Sequence, residues 1–88
     1  MPGGTRETDG DIEIWWRAPR PAPHGYLLER SAADGSNRVI VAQLKGDALR
    51  YVDALASPRK SWTYYLTAFD GRYRLSRPLV LRYAPRED

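Results

Sequence analysis

Cysteine is absent and histidine occurs once, at His24. The first absence excludes a disulfide framework and any thiolate metal site or thiol nucleophile. The second leaves five serines (Ser31, Ser36, Ser57, Ser61, Ser76) with one conceivable base and no G-x-S-x-G context, which argues against a catalytic triad. No glycine-rich phosphate cradle occurs. No apolar run approaches the roughly 18 residues of a membrane-spanning helix. The first ten residues lack an apolar core and do not form a signal peptide, so the chain is either not exported as written or a piece of something longer. Asp9-x-Asp11-x-Glu13 imitates the start of a calcium loop but lacks its glycine and its distal glutamate. The expectation is a chain with no enzymatic activity, no cofactor and no metal.

Lysine is also scarce. Twelve of the 14 basic residues are arginine, set against 11 acids, for a net charge of +3. An excess that small concerns solubility more than a partner. A chain of 88 residues makes one domain that buries roughly 60–65% of its unfolded surface. Ten aromatics are many for this length and are expected to supply much of the core.

The stretch Trp62-Thr63-Tyr64-Tyr65-Leu66-Thr67-Ala68-Phe69 alternates cleanly and ends at Asp70-Gly71. Period two over that length predicts a strand, with Trp62, Tyr64, Leu66 and Ala68 on one face. Five further segments read as strands: 11–17, 26–31, 38–44, 49–53 and 79–83. Turn signals separate them, Asp34-Gly35 and Asp70-Gly71 among them, and the proline-rich stretch 19–25 reads as a loop. No segment predicts a helix. Short alternating strands at this spacing indicate an all-β sandwich or barrel. Residues 1–10 read as a flexible tail or a weak first strand, 11–83 as the domain, and 84–88 as a tail.

Set in order, these segments resemble a fibronectin type III domain. Ile12-x-Ile14-x-Trp16-x-x-Pro19 is similar to the family's second strand and Gly25-Tyr26-Leu27-Leu28-Glu29-Arg30 to its third. Val41-Ala42-x-Leu44, Tyr51-Val52-Asp53-x-Leu55, Trp62-x-Tyr64-x-Leu66-x-Ala68 and Ser76-x-Pro78 follow in the family's order. The resemblance implies a seven-stranded immunoglobulin-like β-sandwich with six firm strands and a weak first one. Two positions depart from the pattern. Trp62 stands where the family carries a corner tyrosine, and its indole N–H is expected to donate to a carbonyl in the 55–61 connection. Residues 1–10 lack the apolar positions of a first strand. Without that strand, the second becomes an exposed edge.

Alternation that points Trp16 and Tyr64 inward sends Trp15, Leu27, Tyr65 and Phe69 outward. With Leu27 and Tyr65 paired across neighbouring strands and Tyr73 nearby, these side chains form the expected interaction surface. Arg72, Arg74 and Arg77 cluster around Tyr73 and are the candidate anion contacts. Interspersed acids favour loop solvation over phosphate binding, so nucleic acid ranks low. Asp53 and Asp70 are expected to stabilise turns.

The resemblance implies a non-catalytic protein-interaction or spacer module of a larger extracellular or surface multidomain protein. Its partner would be a neighbouring domain or an assembly partner, with no small-molecule substrate and no membrane. A small self-associating structural subunit, in a phage particle or other assembly, is the alternative. A weak nucleic-acid binder is the second. Location follows the same division: cell surface for an excised module, cytoplasm or virion for a free-standing chain.

Overall fold

The computed structural model describes residues 3–86. Seven strands form in chain order: β1 (Gly3–Thr8), β2 (Asp11–Trp16), β3 (Gly25–Ala32), β4 (Val39–Lys45), β5 (Arg50–Asp53), β6 (Trp62–Phe69) and β7 (Leu79–Tyr83). They build a three-stranded sheet, β1-β2-β5, and a four-stranded sheet, β4-β3-β6-β7. All neighbouring pairs are antiparallel. The described residues contain no helix, and the helix formers of 48–56 lie in and around β5.

The core lies between the sheets and follows the alternation. Ile12, Ile14 and Trp16 of β2 face Tyr26 and Leu28 of β3, Tyr64 and Leu66 of β6, and Leu81 and Tyr83 of β7; all are buried. The Trp16 and Tyr26 rings meet edge to face at 5.4 Å, a favoured aromatic geometry.

β1 is a complete strand. It pairs with β2 over its full length, from Gly3 opposite Trp16 to Thr8 opposite Asp11. Asp9 (φ 52°) and Gly10 (φ 83°) form the two-residue turn between them. Two left-handed residues in succession match the twist of a hairpin, and the second is glycine because it has no Cβ to clash. Thr5 Oγ1 donates to the Arg82 carbonyl at 2.9 Å, so β1 also reaches across to β7.

The connection between β5 and β6 is fastened twice. Trp62 Nε1 donates to Ser57 O at 2.8 Å, which meets the expectation for the corner position. Tyr83 Oη donates to Pro58 O at 2.8 Å. Two side chains thus donate to adjacent loop carbonyls, Ser57 O also accepting from Lys60 N at 3.2 Å.

Asp53 does more than stabilise a turn. Its side chain is buried, and Oδ2 accepts from Arg30 Nη1 (2.6 Å) and Tyr64 Oη (2.9 Å) while Oδ1 accepts from Leu55 N (3.2 Å). Arg30 in turn lies over the Trp62 ring at 5.1 Å. This network ties β3, β5 and β6 together across the two sheets.

Candidate interaction surface

Three surfaces carry the outward side chains. On the four-stranded sheet, Tyr65 points out but is covered. The Arg38 guanidinium lies 3.7 Å above its ring centroid. Glu29 fixes Arg38 there through two hydrogen bonds, 3.2 and 3.0 Å, the two-pronged geometry that guanidinium and carboxylate share. The Tyr65 hydroxyl also bonds Ser31 Oγ at 2.9 Å. Leu27 does not pair directly with Tyr65. It stands opposite Thr67, and Tyr65 stands opposite Glu29, so the two are diagonal neighbours.

On the three-stranded sheet, Trp15 is half-buried. Its indole lies over Gly4 of β1, where a Cβ would approach it to 2.9 Å. Beside it, the Glu13 carboxylate is buried between Arg6 (2.5 Å) and Arg50 (3.4 Å).

The third surface is the end of the sandwich formed by loops 17–24 and 70–78. Here the expected exposure of Phe69 is corrected. The side chain points outward but is only 7% exposed. It lies over Gly25, whose missing Cβ makes the room, and two rings cover it. Tyr73 stacks on it at 5.7 Å and 20°, and His24 packs at 5.9 Å. Tyr73 itself is 71% exposed.

The turn that presents Tyr73 is longer than a tight Asp-Gly turn. Tyr73 N donates to Asp70 O (2.9 Å) and Asp70 N to Arg74 O (3.2 Å). This is a three-residue hairpin loop of Gly71, Arg72 and Tyr73, and Tyr73 takes the left-handed position at φ 60°. The Asp70 carboxylate organises the loop. Its Oδ1 accepts from Arg72 N and Arg74 N, and its Oδ2 from Arg74 Nε. The backbone N–H groups of Arg74 and Arg72, then the Arg74 guanidinium, hold Asp70 below the usual carboxylate range. Asp70 therefore neutralises Arg74 within the candidate anion cluster. Arg72 and Arg77 are exposed and carry no side-chain hydrogen bond or ion pair among the described residues.

Sequence reasoning missed two features of these surfaces. The cover on Tyr65 comes from Arg38, which immediately precedes β4, and no local pattern pairs the two. The left-handed Tyr73 carries no signal because that position ordinarily belongs to glycine or asparagine. Among the described residues no three His, Asp or Glu side chains gather as a metal site.

No family model matches the sequence, and no curated protein does. Solved structures do match. A pectate lyase, Pel3 from Pectobacterium carotovorum, superposes with a TM-score of 0.77 at 17% identity, over 97% of this chain and 26% of that one. An Fn3-like protein from Clostridium thermocellum gives 0.72 at 15% identity, covering 98% of this chain and 88% of that one. The FN3 domain of human collagen XX gives 0.74 at 17%, covering 92% and 83%. The chain thus spans about a quarter of the lyase and most of the two FN3 proteins. Its fold is that of a fibronectin type III domain.

Proposed function

We propose that the chain is a non-catalytic interaction or spacer module of a larger extracellular or surface protein, set beside domains that carry the activity. The observation that carries this reading is the placement of the first and last strands. Gly3 lies against Leu79, and Thr5 bonds the Arg82 carbonyl, so β1 and β7 run parallel. The backbone therefore enters the sandwich at one end and leaves it at the other, through a body of 44 × 24 × 19 Å. That path suits a rigid bead in a string of domains. The match to a quarter of a pectate lyase supports an accessory place beside a catalytic domain.

The experiment inserts the chain between two fluorescent domains and follows energy transfer and sedimentation. The expected result is one fixed separation, on the scale of the long axis, and a monomer at all concentrations. A separation like that of a flexible linker would overturn the spacer. Concentration-dependent association would favour the assembly subunit.

A further inference from the structure

The basic excess is concentrated at one end of the sandwich. Loops 17–24 and 70–78 contain five arginines (Arg17, Arg20, Arg72, Arg74, Arg77) and one carboxylate, Asp70. These two loops are therefore net +4, whereas the whole chain is +3. The rest of the molecule is close to neutral.

The same end holds an outward-facing aromatic ring backed by a second ring. Tyr73 lies flat on Phe69, with His24 at its edge. A large side chain at φ 60° costs about 1–3 kcal/mol, and glycine would remove that cost. In this conformation the ring covers Phe69 with one face and turns the other to solvent. Both loops are also stiff. Pro19, Pro21 and Pro23 restrict one, and Asp70 bonds hold the other. A preordered loop loses little entropy on binding.

Beside the platform, a shallow groove of about 370 Å³ runs between Pro19, Pro78 and Leu79, with Arg77 on its rim. A second, of about 290 Å³ and flanked by Arg74 and Leu75, adjoins it at Ala68 and Ser76. Both are shallow and open to solvent, and Asp70, paired with Arg74, also lines the second.

We propose that this end binds an acidic polysaccharide, with Tyr73 stacked on the flat face of one sugar ring and the arginines holding carboxylates of that and neighbouring units. A single exposed ring covers one pyranose but cannot stack successive bases, as single-stranded nucleic acid sites do. Only Tyr73 and Leu75 are exposed large apolar side chains in these loops, a small centre for the roughly 800 Å² per side of a stable protein interface. Guanidinium forks match carboxylates in pairs. The proposal rests on the reading of the chain as an interaction module and adds its ligand.

The test is calorimetric titration of the 88-residue chain with oligogalacturonate at low ionic strength. Its methyl ester, which keeps the sugar faces and loses the charge, and oligo-dT are titrated alongside. Binding to the acid is expected, with the ester and oligo-dT at least about tenfold weaker. Tyr73→Gly should weaken binding about tenfold while cooperative unfolding is retained, the relieved backbone strain offsetting the lost cover on Phe69. Arg72→Ala with Arg77→Ala should weaken it similarly and flatten its salt dependence. Tyr65→Ala, on the sheet face, should leave it unchanged. No binding of the acid, tighter binding of oligo-dT, or undiminished binding by Tyr73→Gly would each overturn the proposal. A monomer with a fixed end-to-end separation that ignores the acid would remove this ligand and leave the module reading standing.

Discussion

Two tyrosines that enter the core from neighbouring strands of the same sheet, Tyr26 of β3 and Tyr64 of β6, have opposite chemistry. Tyr64 Oη donates to the Asp53 carboxylate, whereas the Tyr26 hydroxyl is buried without a hydrogen-bond partner among the described residues. A buried hydroxyl gains only when it is paired. Tyr26→Phe should therefore be neutral or stabilising, and Tyr64→Phe should cost about 1–2 kcal/mol, both read from urea midpoints. High pH separates them further. Burial first, then the bond to Asp53, raises the Tyr64 phenol above its ordinary value. The folded state thus keeps a proton that the unfolded state releases near pH 10, so this stabilisation is complete below about pH 10 and declines as pH rises beyond it. Tyr64→Phe lacks that term. Its deficit relative to the parent should shrink as the pH passes about 10, and a constant deficit would place the Tyr64 proton elsewhere. Sequence alternation places both tyrosines inward, but it cannot pair them. The partner of Tyr64 lies on β5, and only the folded register brings Asp53 to its hydroxyl.

At the scale of elements, legibility tracked side-chain pattern. β6 was readable because its apolar positions alternate over eight residues. β1 was not, because Gly3-Gly4-Thr5-Arg6-Glu7-Thr8 has no apolar face to read. It is held by backbone pairing, by the Trp15 indole over Gly4, and by the turn at Asp9-Gly10. That Asp-Gly pair is the same signal that marked the turns at Asp34 and Asp70. The candidate surface divided similarly. Period two gave the outward direction of Tyr65 and Phe69, but their covers, Arg38 and Tyr73, come from other segments. The hairpin turn is open to a direct test. Gly10→Val forces a β-branched residue to φ 83° and should cost about 1–3 kcal/mol in thermal or urea unfolding. Gly71→Ala, with no positive φ and open space around its Cβ, should stay within about 0.5 kcal/mol of the parent. Equal effects at both sites would show that the β1–β2 turn does not depend on its glycine.

At the scale of the whole molecule, a two-sheet sandwich has four edges, and each presents backbone groups that invite pairing. On one flank, β1 and β7 close on each other through Thr5 and Arg82. On the other, β4 and β5 are edges with different protection. β5 has four residues, too few for a long ladder. β4 carries Lys45 at its end, and its ladder with β3 is broken by a register shift at Leu28/Glu29, a bulge that bends an edge away from flat pairing. β1 is thus the cover of β2, the strand that contributes Ile12, Ile14 and Trp16 to the core. Removing residues 1–9 would leave the β2 backbone groups that face β1 unpaired along a regular six-residue strand. The truncated chain should unfold at lower urea than the parent and self-associate in sedimentation, while the full chain stays monomeric. An added peptide with the sequence of residues 1–9 should reverse the association by refilling the edge, as strand addition does elsewhere. A truncated chain that remains monomeric and equally stable would show that β1 is dispensable, and that the pairing within the rest of the sheet suffices to protect β2.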